Sequence, residues 1–205
     1  MEQCSSEKTA TLKSKLFKGK NLLDLTMGAG VDTYYFSLSF KKVVAIEKNA
    51  YLAEVAKHNM KCLQAKNVEV IDGSAEMYLK NTSEEFEFIY LDPSRRVDTG
   101  RRIFQLEDCE PNVIELMAQL MKRSNNILIK VYPFLDISDT LKKLTKVAEV
   151  YVIAVNNDVK EVLYLFAETK NVEIKFKTYN IKGEKVETFE FKEDLKLAIK
   201  SFSKP

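Results

Sequence analysis

One histidine, three cysteines and no long apolar run set the first limits on this chain of 205 residues. Any Ser-His-Asp or Cys-His mechanism would have to run through His58 alone, inside the helical-looking stretch AYLAEVAKHNMKCL, where a structural or solvent-facing role is the simpler reading. Cys4, Cys62 and Cys109 lie far apart and form no Cys-x-x-Cys pair, too few soft ligands for a structural zinc site. Reduced thiols and no metal are expected. No stretch approaches the roughly 18 apolar residues of a membrane span, and the start, MEQCSSEK, lacks the apolar core of a signal peptide, which points to a cytoplasmic soluble protein. Charge of one sign is also missing. Lys plus Arg number 32 against 30 Asp plus Glu, a formal net of +2, so any preference for a polyanionic partner must be local. No internal repeat or low-complexity tract appears. With 45% hydrophobic and 30% charged residues, the composition fits one globular domain with a small appendage.

Seven short β-branched or aromatic runs are present: NLLDL, KVVAIE, NVEVI, FEFIYLD, NILIKVY, EVYVIAV and EVLYLFA. Helical patterns at about 31 to 39, 50 to 64, 75 to 80, 107 to 122 and 137 to 146 alternate with them. That alternation predicts right-handed crossovers and a mostly parallel, doubly wound α/β sheet covered on both faces. Only Asn156 to Lys160 separate the last two runs, enough for a hairpin and too few for a crossover helix, so the seventh strand should run antiparallel to the other six. This Rossmann-like ground plan resembles the class I methyltransferase fold. Beyond Lys170 the alternating VEIKFKTYNIKGEKVETFEF predicts a hairpin turning near Lys182 and Gly183, followed by the helical EDLKLAIKSF.

The segment LLDLTMGAGVDT places Asp24 at the end of the first strand and Gly28 and Gly30 in the turn to a helix. Glycines there let the backbone lie against a nucleoside, while Asp24 faces the crevice. The second strand ends with Glu47, whose carboxylate can accept both ribose hydroxyls. The third runs into IDGSAE, where either Asp72 or Ser74 could contact adenine, a turn or helix cap being the alternative. Dinucleotide enzymes open similarly, but Thr26 removes one glycine from their fingerprint; the spacing Asp-x-Thr-x-Gly-x-Gly suits S-adenosylmethionine, with one nucleoside and no pyrophosphate, better than NAD.

The fourth strand ends FIYLDPSRR, which puts Asp92 and Pro93 at the carboxyl edge of the sheet, the expected site of chemistry. The block is similar to the (D/N)PP(Y/F/W) signature of methyltransferases acting on exocyclic amines, with Ser94 and Arg95 replacing the second proline and the aromatic residue. An aromatic ring there would stack on a flipped base. Arg95, Arg96, Arg101 and Arg102 follow within RRVDTGRR, and their guanidinium forks could grip a nucleic acid backbone; an exposed loop paired with Asp98, Glu107 and Asp108 is the plain alternative.

EQCSSEKTA, LLDLTMGAGVDTYYFS, YLDPSRR, LEDCEPNVIELM, ILIKVYPFLDI and NNDVKEVLYLFA together resemble the bacterial class I methyltransferases that carry a THUMP-like C-terminal domain, over roughly residues 2 to 170. The resemblance is most distinctive in the DPxRR block and the EDCEPN segment. It implies a methyltransferase domain over residues 1–170, S-adenosylmethionine as cofactor, and residues 171–205 as the start of the THUMP-like module; it supplies no substrate. Met27 stands where a glycine is expected. A second resemblance is to RNA 2′-O-ribose methyltransferases, whose Lys-Asp-Lys-Glu set corresponds here to Lys13, Asp92, Lys130 and Glu161, with Lys15 one turn away as an alternative to Lys13. The leading expectation is a methyltransferase acting on RNA, at a ribose hydroxyl or a base. A catalytically silent RNA-binding module and a small-molecule methyltransferase are the rivals.

Overall fold

The computed structural model describes residues 4–95, 106–133, 135–144, 146–167 and 173–194. The chain divides into two compact units, Met1–Asp92 with Leu116–Asn125 and Pro93–Glu115 with Asn126–Pro205. The first contains α1 (Glu7–Leu16), β1 (Gly19–Asp24), α2 (Val31–Ser37), β2 (Phe40–Glu47), α3 (Ala50–Cys62), β3 (Val68–Asp72), α4 (Ala75–Asn81) and β4 (Phe88–Leu91). Its strands are parallel in the order β4-β1-β2-β3, with Leu23 opposite Val44 and Glu47 opposite Asp72. Strand identity follows burial. In β2 every residue from Val43 to Glu47 is buried, as in a strand covered on both faces, whereas no residue of β3 is fully buried because it forms the edge. Helix starts are set by side-chain caps: Ser6, Asn49 and Ser74 each accept a hydrogen bond from the amide three residues on.

The second unit begins with a two-residue pairing of Ser94–Arg95 with Cys109–Glu110. It holds β5 (Asn126–Val131), β6 (Val147–Val155), β7 (Asp158–Ala167), β8 (Glu173–Lys182) and β9 (Lys185–Asp194), in the order β5-β7-β6-β8-β9. As expected from the short connection, β7 is antiparallel to both β5 and β6. The connection is even tighter than the sequence suggested: Asn156 (φ 52) and Asn157 (φ 66) turn the hairpin with two left-handed residues. Asn tolerates that conformation, and such turns match the strand twist. Two further helices complete the six among the described residues, α5 (Val113–Leu120) and α6 (Ile137–Lys143).

Two expectations need correction. Among the described residues the strands of this sheet number nine, not seven, because β8 pairs in parallel with β6 and carries β9 on its outer side, so the C-terminal hairpin, read as an appendage, extends the sheet of the second unit. The hairpin itself turns at Gly183 (φ 59), as read. The helix placed at 107 to 122 is α-helical only from Val113 to Leu120, preceded by a 3-10 turn at Leu106–Asp108, because Pro111 disfavours helical backbone at Glu110, which pairs as a strand instead. The expected helix EDLKLAIKSF lies almost wholly outside the described residues.

The first unit is built around a buried charge. Lys13 on α1 is 0% exposed, and its Nζ lies 2.7 Å from Oδ1 of Asp32 in the first turn of α2. Asp32 Oδ2 also accepts from Ser5 Oγ at 2.8 Å and from Tyr90 OH on β4 at 2.6 Å. Around Tyr90 the rings of Phe36, Phe40, Phe88 and Phe17 meet edge to face in a chain. Removing one partner of such a pair strands the other in low dielectric, whereas neutralising both is far milder. Lys13→Met is therefore expected to cost about 3–5 kcal/mol in urea unfolding, with most of it recovered in Lys13→Met/Asp32→Asn; a single variant as stable as wild type would refute the pair's role.

Candidate functional site

The carboxyl ends of β1, β2 and β4 and the turn after β1 form the candidate site of the first unit. Asp24 closes β1 and is 1% exposed. Its Oδ1 accepts from the Thr26 amide at 3.0 Å and its Oδ2 from the Thr33 hydroxyl at 2.6 Å. Burial pushes its carboxyl up to about 7, against the downward pull of those two hydrogen bonds, and the nearby carboxylates of Asp32 and Asp92 push further the same way. Three acidic groups thus act on one another in a water-poor setting.

The turn is fixed from several sides. Thr26 Oγ1 accepts from the Asp92 amide at 2.6 Å, so the end of β4 is tied to the residue that follows β1. The Met27 amide donates to Ile46 O at 2.9 Å, and the Met27 side chain packs with Ala45, Ala56 and Met60. The residue that stands in place of the expected glycine therefore sends its side chain into the core. Gly28 (φ 57) and Gly30 (φ 85) adopt the left-handed conformation, and a Cβ on Gly30 would come within 3.0 Å of both methionine methyls. The Gly28 amide donates to Glu47 Oε2 at 2.8 Å and the Asn49 amide to Oε1 at 2.9 Å. Glu47 is buried, yet each carboxylate oxygen can accept a further hydrogen bond.

Beside Glu47, across the β2–β3 pairing, stands the exposed Asp72. Ser74 caps α4, its hydroxyl accepting from the Met77 amide at 3.2 Å. Asp92 and Pro93 are both partly buried. Of the arginines, Arg95 is described only by its backbone, opposite Cys109, while Arg96, Arg101 and Arg102 lie outside the described residues, as does Asp98. Glu107, read as a possible arginine partner, instead pairs with Lys143 at 2.7 Å, a hydrogen bond that holds its carboxyl below the ordinary value.

Of the four-residue set, Asp92 ends β4, and Lys13 sits in the ion pair with Asp32. In the second unit Lys130 on β5 is opposite Leu163 on β7, and Glu161 lies two residues from Leu163. Side chains alternate along a strand, so Lys130 and Glu161 share one face; both are buried. Asp32, Thr33 and Tyr90 were missed from the sequence. Tyr90 stands on β4 two residues before Asp92, and a tyrosine hydroxyl so near the acidic strand end was the available signal. His58 is exposed, with Cys62 Sγ 3.4 Å from its Nε2. Among the described residues no cluster of acidic, histidine and cysteine side chains could hold a metal ion, and no helix is long and apolar enough to cross a membrane.

A solved structure of a Porphyromonas gingivalis W83 protein assigned as a methyltransferase superposes with a TM-score of 0.85 at 31% identity, covering 100% of this chain and 51% of that one. The O-methyltransferase of Bacillus cereus in complex with SAH shares the fold, with a TM-score of 0.60 at 14% identity over 82% of this chain and 84% of that one. In sequence, the ribosomal RNA small subunit methyltransferase J of Francisella philomiragia is 31% identical over 125 residues, 53% of this chain and 50% of that protein. The chain thus spans about half the length of the curated relative it matches there. Together these give it the α/β Rossmann-like methyltransferase fold, with a mixed sheet and six helices among the described residues. The model of the RNA cap guanine-N2 methyltransferase family matches residues 19–179, and the chain belongs to that family.

Proposed function

We propose that this chain is an S-adenosylmethionine-dependent methyltransferase that acts on RNA, at an exocyclic amine of a base. The observation that carries the reading is the anchoring of the glycine turn to the acidic end of β2, Gly28 N to Glu47 Oε2, beside the crowded carboxylates Asp24, Asp32 and Asp92. These residues fit the cofactor. Glu47 receives the ribose hydroxyls, Gly28 and Gly30 leave the turn free of side chains, and Asp72 and Ser74 border the adenine. Asp24, Thr26 and Asp92 surround the positive end. The cofactor supplies an electrophilic methyl on a sulfonium; SAH in the Bacillus cereus neighbour supports the same occupant here.

Base methylation is favoured by the family's own description and by the chemistry of Asp92-Pro93. A carboxylate and the carbonyl of a residue without an N–H are acceptors only, which suits an amine with two protons to donate. Holding both N–H groups would orient the nitrogen for in-line displacement of the thioether from the methyl, and Asp92 would take up the proton released. Ribose methylation through Lys13, Asp92, Lys130 and Glu161 is the weaker reading, since Lys13 is enclosed and bound by Asp32. Lys130 and Glu161 remain as an orienting pair. Arg95, Arg96, Arg101 and Arg102 serve as phosphate anchors, and the ribosomal RNA relative supports an RNA substrate. We assign the methyltransferase domain to residues 1–170 and the tail, 171–205, to the start of a THUMP-like module whose hairpin continues the sheet. The ribosomal RNA relative supports a cytoplasmic setting.

Incubation with methyl-labelled cofactor and total bacterial RNA, followed by digestion to nucleosides, is expected to yield N2-methylguanosine, and Asp92→Ala to lower kcat/KM by about 10²-fold or more. A 2′-O-methyl nucleoside would overturn the amine assignment, and labelling of small molecules or of nothing would favour the small-molecule or silent reading.

Asp24 gives a second expectation. Its folded carboxyl titrates near 7 against an ordinary 3.8, so the folded state holds a proton that the unfolded chain releases, and stability declines as pH rises from about 4 to about 7. Asp24→Asn should remove that decline, raising stability at pH 8 by up to roughly 4 kcal/mol while changing little at pH 4. Urea unfolding at both pH values measures it, and an unchanged profile would contradict the buried carboxyl.

A further inference from the structure

On the outer side of the first unit, away from the strand ends, α3, the turn after it and the edge strand β3 enclose an open groove of about 370 Å³. Lys57, Lys61 and Lys66 line its rim, and Met60, Val68 and Val70 its floor. Lys57 and Lys61 are one helical turn apart on α3, about 6 Å along its axis. Lys57 pairs with Glu54 at 2.7 Å, but that carboxylate is itself largely exposed. Among the described residues no acidic side chain comes within ion-pair distance of Lys61 or Lys66, and both are exposed.

A plain account of lysines at a helix C-terminus is that they cap its last carbonyls. Here those carbonyls have other partners. Leu63 N donates to Asn59 O at 2.9 Å, Ala65 N to Met60 O at 3.0 Å and Gln64 N to Lys61 O at 3.1 Å. This closing turn holds Gln64 at φ 57, a left-handed backbone normally given to glycine, with its side chain kept on the groove. The heads of Lys61 and Lys66 are therefore left to solvent, and that of Lys57 to solvent and the exposed Glu54, beside partly exposed valines. Three cations over an apolar floor match a chain whose phosphates alternate with sugars and bases. A protein partner of acidic character would match the rim alone.

We propose that this groove binds the backbone of single-stranded RNA, with phosphates on Lys57, Lys61 and Lys66 and a sugar or base edge over Met60, Val68 and Val70. It is a second contact for the substrate class proposed above, and rests on that reading only for the identity of the RNA as substrate. Binding is read by fluorescence anisotropy of a labelled oligouridylate, with no cofactor present. The substitutions Lys57→Gln, Lys61→Gln and Lys66→Gln together should weaken affinity about tenfold or more near 0.1 M salt and flatten the log–log salt dependence by about 2, some 0.7 per phosphate. A control with the same loss of charge, Lys142→Gln, Lys160→Gln and Lys182→Gln, should change affinity far less. Calorimetric binding of S-adenosylhomocysteine should be equal in all three proteins, and the groove variant should raise the KM for RNA.

Equal losses in the two triple variants would overturn the proposal by tracing the effect to net charge, as would unchanged binding in the groove variant or no binding by wild type. Uridine monophosphate bound as tightly as the oligonucleotide would assign the groove to a free nucleotide, and binding of acidic peptide in preference to RNA would assign it to a protein, either of which also overturns it. Failure of methyl transfer to RNA, with the groove effect intact, would remove the functional reading and leave the groove standing.

Discussion

The hydrogen bond from the Gly28 amide to Glu47 is the constraint on which the candidate site depends. It ties the turn after β1 to the end of β2, and the Thr26 hydroxyl ties the same turn to the Asp92 amide at the end of β4. Three parallel strand ends are thereby held in one arrangement before any ligand arrives. Binding then costs little reorganisation of the backbone, which is the general condition for a small cofactor to be held with useful affinity. The methionine in this turn shows how the arrangement is made rigid without a glycine at that position. Met27 anchors the loop in the cluster of Ala45, Ala56 and Met60, leaving Gly28 and Gly30 to supply the left-handed turns.

Beneath that turn the charge distribution is unusual for a protein core. Lys13 and Asp32 are paired out of water, Tyr90 and Ser5 share the same carboxylate, and Asp24 stands close enough to feel Asp32 and Asp92. Neutral cores are cheaper to build than this one. The arrangement ties elements together: through Asp32, Lys13 and Tyr90 hold α1, α2 and β4, while Asp24 and Asp92 stand near the strand ends. Lys13, read from sequence as part of a reaction centre, is held in the ion pair with Asp32.

Much of this was legible in the chain. Apolar runs separated by helical periods gave the parallel strands of the first unit, and the five residues after Val155 gave the antiparallel return of β7. Gly28, Gly30 and Glu47 were recognisable because a turn with left-handed backbone and an acidic strand end are local features. What was hidden depends on distant partners. Nothing in VEIKFKTYNIK indicates that it will pair with EVYVIAV, so the hairpin read as an appendage in fact widens the sheet. The partner of Lys13 lies 19 positions away on another helix, a distance over which periodicity carries no information. Pro111 was visible, and it marks where the helix expected over 107 to 122 is interrupted.

The central claim is that the turn held by Glu47 receives the adenosyl cofactor. Isothermal titration calorimetry of the folded protein with S-adenosylhomocysteine tests it most directly. One saturable site, lost in Glu47→Ala protein that still unfolds cooperatively, is the expected result. Absence of heat from folded wild-type protein at several temperatures, or undiminished binding by the Glu47→Ala variant, would contradict it.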